Sequence, residues 1–431
     1  MCETGGTGTM ADSRRILIVL PMYGGSLPIG RYCGNALRGL GHLVEYFEAP
    51  AFYSVFEALK GLRVGLDRLD HLENSFLQVV SQAVLAKVEA FSPDMVLALA
   101  QAPLSRQALK RLRRDGVPTA MWFVEDHELF TYWKVFAPLY DVFAVIQKGN
   151  FPDKLAAVGQ PNSLYLPLAA DPSVHRPLDL TDGERTRYGS ELSFVGAGYP
   201  NRRLAFRQLA RYDLRIWGND WDEEMVLAGH LQRGGERIEM DEVVRIFNAS
   251  SININLHSSV RPGALVGDGD FVNPRTFELA ACGAFQLVDR RSLMDGLFGP
   301  DELVLFEDMD GLLAAIEHYR FRPELRAEAA ARSRARVLAE HTYTHRMTAL
   351  LEHMAPLMAA PRSSSWPEEI PEELRGELDA LLLKLGLSPS VPFADLVWAV
   401  RAQNGPLDRL ETAILFLDEW KKQYSGERPG K

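Results

Sequence analysis

Cysteine is scarce: Cys2, Cys33 and Cys282 are the three in 431 residues. They are far apart and odd in number, which excludes a disulfide framework or a cysteine-based zinc site. A reducing compartment, the cytoplasm, is the expected setting. Long apolar runs are also missing. No stretch of about 18 apolar residues occurs, so no membrane-spanning helix is expected. The opening MCETGGTGTMADSRR lacks an apolar signal core and reads as a disordered leader over 1–13, with Met10 an alternative start. Positive charge is in deficit, with 47 Lys and Arg against 57 Asp and Glu and a net charge of -10. That argues against nucleic-acid binding, which needs a basic face. A local basic pocket for a diphosphate is still compatible with it. There is no P-loop, no nucleophile elbow, no His-Glu-x-x-His and no kinase signature set. Two Asp-x-Asp triplets, Asp268–Asp270 and Asp308–Asp310, stand in no matching context, so no metal is assigned.

What remains is an ordinary globular composition, 47% apolar and 24% charged, enough for sizeable cores. Short apolar runs alternate with helical patterns twice. The first series has strands at Arg15–Pro21, Leu43–Phe47, Met95–Ala100, Thr119–Val124, Asp141–Ile146 and Ser163–Leu168, with a glycine loop Tyr23–Gly30 after the first. Residues 171–190 are polar, with Asp-Pro and Asp-Gly steps, and read as a linker. The pattern then restarts at Leu192–Val195 and continues through Leu214–Trp217, Ser251–Leu256, Ala284–Val288 and Leu303–Phe306. Such alternation predicts parallel βαβ units. The expected fold is therefore α/β, two Rossmann-like doubly wound domains, 14–170 and 191–359, facing across a cleft. A second linker at 360–371 and a helical extension at 372–431 follow. The extension carries no chemical motif and reads as a packing or oligomerisation piece.

Four constellations could carry chemistry. In Phe271–Asp289, Asn273 suits an N-cap, Pro274 the first helical position and Gly283 the left-handed residue after the last turn. The N-terminus of that helix, with Thr276 in its first turn and Arg275 adding a forked donor, suits a diphosphate. Glu278 lies one turn on, where its carboxylate can accept from ribose hydroxyls; the alternative is a plain Arg275–Glu278 ion pair. In Val195–Arg203, Gly196 and Gly198 allow close backbone approach to phosphate, with Arg202 and Arg203 as countercharge; the alternative is a tight turn with solvated arginines. Asn255 and His257 stand at a strand end, where parallel sheets face their ligands, although a lone His is often satisfied structurally. After a strand of the first series comes Glu125-Asp126-His127. An acceptor hydroxyl must lose its proton as it attacks, and Asp126, then His127, is the candidate base; the alternative is a capping Asp.

The segment Asn273–Asp289, with Leu303–Asp308 and Glu340-His-Thr-Tyr-Thr-His-Arg346, resembles the C-terminal half of the CgeB-like (spore maturation protein type) glycosyltransferases. Those proteins show an Arg-x-Phe-Glu, small-residue, Cys-Gly segment and a closing His-Thr-Tyr-x-His-Arg signature. Thr119–His127 resembles their Trp-Phe-x-Asp strand end, and Tyr140–Phe143 and Leu166–Asp171 also fit. The likeness runs over most of the chain, specific in the C-terminal half and looser before it. It implies a GT-B architecture, no obligatory metal, no tightly bound cofactor, and a UDP- or GDP-sugar donor in the second lobe. A glycan, protein or cell-surface polysaccharide would be the acceptor. Retaining enzymes of this fold often carry two glutamates eight positions apart; eight before Glu278 stands Asp270. A sugar-nucleotide epimerase and a non-catalytic binding or assembly protein are the rival readings on the same fold.

Overall fold

The computed structural model describes residues 13–222, 224–259, 265, 269–359, 372–389, 391–403 and 405–424. The expected leader up to residue 12, Asp268 and the expected linker at 360–371 lie outside the described residues. The chain divides into two compact units, 1–362 and 363–431.

Among the described residues the first unit holds two parallel sheets. One is built from β1 (Arg15–Val19), β2 (Leu43–Phe47), β3 (Met95–Leu99), β4 (Thr119–Phe123), β5 (Val142–Val145) and β6 (Ser163–Tyr165), in the order β2-β1-β3-β4-β5-β6. Ile16 stands level with Val44 on one side and Met95 on the other. Successive side chains of a strand point to opposite faces, and both faces here are covered. Ile16 and Ile18 join the core under the helix Ser26–Gly39, while Leu17 and Val19 join the core under Leu66–Phe91 and Arg106–Arg114. That is why β1 reads as a continuous apolar run rather than an alternation. Gly30 sits inside the helix Ser26–Gly39 rather than in the loop before it, and a Cβ there would collide with Leu20.

The other sheet comprises β7 (Leu192–Val195), β8 (Leu214–Trp217), β9 (Ile252–Asn255), β10 (Gln286–Asp289) and β11 (Val304–Phe306), ordered β11-β10-β9-β7-β8. Both sheets reverse strand order beside their first strand, between β1 and β3 and between β7 and β9. Ligands of open α/β sheets bind outside the carboxyl ends at such points.

Within the polar stretch 171–190, the structure has a helix, Asp182–Tyr188, opened by a reciprocal capping box of Thr181 and Glu184. The Asp-Gly step there suggests a break, but Thr-x-x-Glu is itself a helix-start pattern and prevails. The chain crosses between the lobes a second time after Glu340. The helix Tyr343–Ala359 returns to pack on Ser26–Gly39 of the first lobe. There Ala170 and Thr342 form a short parallel bridge. Arg346 fastens the crossing, donating to the carbonyls of Pro167 (2.7 Å), Leu168 (3.2 Å) and Glu340 (3.0 Å). Burial pushes its guanidinium down to about 10. The closing signature His341–Arg346 is thus a hinge clamp.

Among the described residues the second unit has three helices, Glu372–Leu385, Phe393–Arg401 and Arg409–Tyr424. Their apolar faces meet at Leu381, Leu382, Leu396, Val397, Val400 and Ile414.

Candidate active site

The helix Pro274–Ala281 forms as its sequence dictates. The Asn273 side chain accepts from the Thr276 N–H at 3.1 Å, Pro274 occupies the first turn, and Gly283 takes φ 65° after the end. Asn273 also donates to Asn255 Oδ1 at 2.8 Å, and its own N–H donates to His257 Nε2 at 2.8 Å. Asn255 in turn donates to Thr276 Oγ1 (2.9 Å) and Gln286 Oε1 (3.0 Å). Asn255, His257, Asn273 and Thr276 are therefore brought together, but as a buried lattice that seats the helix on β9 and β10. Each of these four is at most 8% exposed.

His257 is pinned on both nitrogens. Its Nδ1 lies 2.7 Å from Asp289 Oδ1, which also accepts the His257 backbone N–H. With Nε2 accepting from Asn273, the ring is neutral, and burial holds its pKa below the usual histidine range. Burial would raise the Asp289 carboxyl, but His257 and Arg291 outweigh it and hold it low.

Arg275 and Glu278 form the ion pair that their spacing allows. The arginine side chain keeps 28% exposure while the carboxylate is buried at 3%. Glu278 is thus a buried anchor that holds a half-open guanidinium at a helix N-terminus. Its other oxygen lies 3.8 Å from His175 Nε2, at the interlobe crossing.

The turn after β7 is shaped differently from the sequence expectation. Arg202 donates to the Leu256 carbonyl through Nε (2.9 Å) and Nη2 (2.7 Å) and to the Ala197 carbonyl at 3.0 Å. Burial pushes this guanidinium down to about 10. Arg203 donates to Gly198 O at 2.6 Å and to the Asp220 carbonyl. A Cβ on Gly198 would collide with that same carbonyl, so Gly198 lets the loop after β8 close on the turn. Gly196 donates to Trp217 O at 2.9 Å and accepts from the Trp221 indole at 3.0 Å. In this structure the two arginines brace the crevice loops.

In the first lobe, Asp126 lies just past β4, and its Oδ1 accepts the Glu128 N–H at 2.8 Å, a short capping turn. His127 is buried. Its backbone N–H (2.9 Å) and its Nδ1 (3.1 Å) both meet Gln147 Oε1, while Nε2 lies 3.2 Å from Lys154 Nζ. An amide oxygen only accepts, so Nδ1 carries the hydrogen and Nε2 accepts from the ammonium. The ring stacks on Phe151, centroids 4.2 Å apart. Beside it, burial raises the Glu125 carboxyl, which accepts from Tyr132 Oη at 2.8 Å and from Gln101.

The lobes touch at their carboxyl edges. Asp270 reaches from the second lobe to Gln147 Nε2 (3.2 Å) and to the Lys148 N–H (2.9 Å). Arg237 donates to Gly24 O, after β1, at 3.2 Å. Gln147 therefore joins His127 to Asp270 across the crevice. Sequence reasoning passed over Gln147, Lys154, His175 and Asp289. A usable signal existed for two of them: Asp289 ends β10 and Gln147 follows β5, both at carboxyl ends of parallel strands.

Comparison with known proteins agrees with this architecture. Residues 202–352 match the family model described as glycosyl transferase-like. The chain is 24% identical over 257 residues to spore protein CgeB of Bacillus subtilis (strain 168), covering 57% of this chain and 78% of that one. Among solved structures, sucrose-phosphate synthase from Thermosynechococcus elongatus superposes with TM-score 0.55 at 12% identity, over 80% of this chain and 100% of that one. HepE of Anabaena, in complex with UDP-glucose, gives the same four values. A glycosyltransferase from Rickettsia africae gives 0.53 at 11% identity, over 81% and 100%. These likenesses are of fold, two facing Rossmann-like lobes of the GT-B type. This chain thus has a GT-B-type fold, a glycosyl transferase-like region over residues 202–352 and a sequence similar to spore protein CgeB.

Proposed function

We propose that the protein transfers a sugar from a nucleotide-sugar to an acceptor hydroxyl without a metal. The carrying observation is the capped N-terminus of Pro274–Ala281, with Arg275 held half-open on it by Glu278, at the carboxyl edge of the second sheet. Negative charge grows on the departing diphosphate in the transition state, and preorganised donors there lower the barrier. The positive end of the helix dipole and a forked guanidinium supply that countercharge, which is the basis for the metal-independent reading. The UDP-glucose complex of HepE, on the same fold, makes UDP-sugars the first donors to test, ahead of GDP-sugars. Asp126 is the proposed base toward the acceptor, a glycan or protein hydroxyl. His127, locked between Lys154 and Gln147, serves to hold the loop. The lobe bridge through Asp270 fits a mechanism in which closure keeps water from the donor.

A thermal-shift series with UDP-, GDP-, TDP- and CMP-sugars on wild type and Arg275→Ala tests this. A ligand at about 100 times its Kd adds roughly 2.7 kcal/mol. We expect a shift with one nucleotide class, lost in Arg275→Ala. No shift with any nucleotide-sugar overturns the donor site.

The helical unit is proposed as a self-association piece. Leu383, Trp398 and Phe416 are 83%, 74% and 67% exposed, more than singly placed surface apolars require. Sedimentation velocity should show an oligomer that Trp398→Glu dissociates; a wild-type monomer rejects this role.

A further inference from the structure

We propose that the first lobe carries a separate acceptor-side pocket that binds an amphiphilic anion, a molecule with an apolar body and a phosphate or carboxylate group. Its link to the acceptor rests on the glycosyl-transfer reading; the binding itself does not.

The helices Leu66–Phe91 and Arg106–Arg114 and the loops after β3 and β4 border a half-open cavity of about 660 Å³. Small-molecule sites fall in this size range and combine an apolar wall with a few polar groups. Here the wall is Leu77, Leu104, Met121 and Phe136. Arg106 and Lys110 also line it, one turn apart on a single helix face. Both are exposed, and neither makes a hydrogen bond or ion pair among the described residues. Their neighbours on the same helix are occupied: Arg111 with Asp115 and Glu89, Arg113 with Asp141. Two unpaired cations beside an apolar hollow, in a chain of net charge -10, form a receptor for an anion with an apolar body. A bare anion leaves the wall unfilled, and a neutral apolar ligand leaves the cations unused.

The cavity is also tied to the loop of the proposed acceptor base. Gln101 and Tyr132 line it, and both hydrogen-bond Glu125, the residue before Asp126. Gln101 is held at φ 64°, a left-handed conformation that persists in a non-glycine residue where its surroundings over-determine it, often at ligand sites. Its N–H meets Tyr132 Oη at 3.1 Å, which ties the cavity mouth to the loop that carries Asp126.

Isothermal titration calorimetry of the full chain with octyl phosphate, below its micelle concentration, tests the site. Inorganic phosphate and octanol are the controls. We expect one octyl phosphate per chain, no phosphate binding at the same concentration, and weaker octanol binding. Leu77→Trp, which fills the cavity, should abolish octyl phosphate binding. The double variant Arg106→Ala/Lys110→Ala should weaken it about tenfold, the loss expected for two solvent-facing charge contacts, and leave octanol unchanged. Circular dichroism confirms that both variants fold. Their unchanged response to a nucleotide-sugar separates this pocket from the donor site. Failure of wild type to bind octyl phosphate, or equal binding by Leu77→Trp, overturns the proposal. Co-sedimentation with phosphatidylglycerol vesicles, competed by octyl phosphate, assigns a lipid-borne ligand; octyl phosphate binding without co-sedimentation assigns a soluble one.

Discussion

At the scale of single residues, the histidines do structural work that their sequence neighbourhood does not reveal. His257 is neutral because burial disfavours its charge and because Asn273 and Asp289 use both nitrogens. His175 is lowered by burial against the opposing pull of Glu278, and His341 is pushed down to about 4 by burial. A folded pKa below the unfolded value means that the unfolded chain binds protons first as pH falls. The stability these groups contribute is whole above about pH 6.5 and is lost on acidification toward pH 4. Glu125, raised by burial, acts in the opposite sense. The lowered histidines, joined by carboxyls held low such as Asp289 and Glu302, outweigh Glu125 and predict a thermal midpoint that falls steadily from pH 7 to pH 4 in calorimetry. A flat or rising midpoint over that interval contradicts the neutral state of these buried rings. His257 was legible as a residue at a strand end; that its ring is consumed by Asp289, 32 positions away, was not, because hydrogen-bond partners follow from strand order.

At the scale of elements, legibility follows locality. The limits of Pro274–Ala281 were readable because cap, first-turn proline and terminal glycine act within a few residues. The helix Asp182–Tyr188 was passed over because its Asp-Gly step outweighed its Thr181–Glu184 pair in the reading, although the pair is equally local. Asn273 tests how much the seat of the donor helix matters. Removing its side chain takes away the cap on Thr276 and the bond to Asn255 together. Asn273→Ala should lose about 1–2 kcal/mol in urea unfolding, the cost of a cap, with a further loss for the buried amide left unpaired. It should also weaken nucleotide-sugar binding. A variant as stable as wild type would show that the lattice around β9 and β10 does not depend on the cap.

At the scale of the whole molecule, the hinge is the decisive contact set. Arg346 holds three carbonyls around the crossing and also meets His341 Nδ1 at 2.8 Å. A lysine has no fork and cannot reach all of them. Arg346→Lys should therefore lower stability by roughly 2–4 kcal/mol, since buried acceptors are left unmade. It should also broaden the interlobe geometry seen by small-angle scattering. A sharp, unshifted melt with an unchanged scattering profile would remove the clamp role. The closing signature stood out in the sequence as a family resemblance, but its task is visible only where residues 167–171 and 341–346 meet.

The sequence by itself determined the two βα series, their parallel sheets and the capped helix with Arg275, because periodicity and capping are short-range and survive any tertiary arrangement. It also brought Asn273 with Thr276, and separately Asn255 with His257, forward as candidates; that they form one lattice came from the fold. Tertiary structure alone decided what those groups spend their hydrogen bonds on. Arg202 turns to backbone carbonyls, Glu278 is buried against the hinge, and Asp270 crosses to Gln147 and Lys148. The physical reason is that a charged side chain takes the partner that burial and strand order place within reach, and that partner lies tens of residues away in the chain.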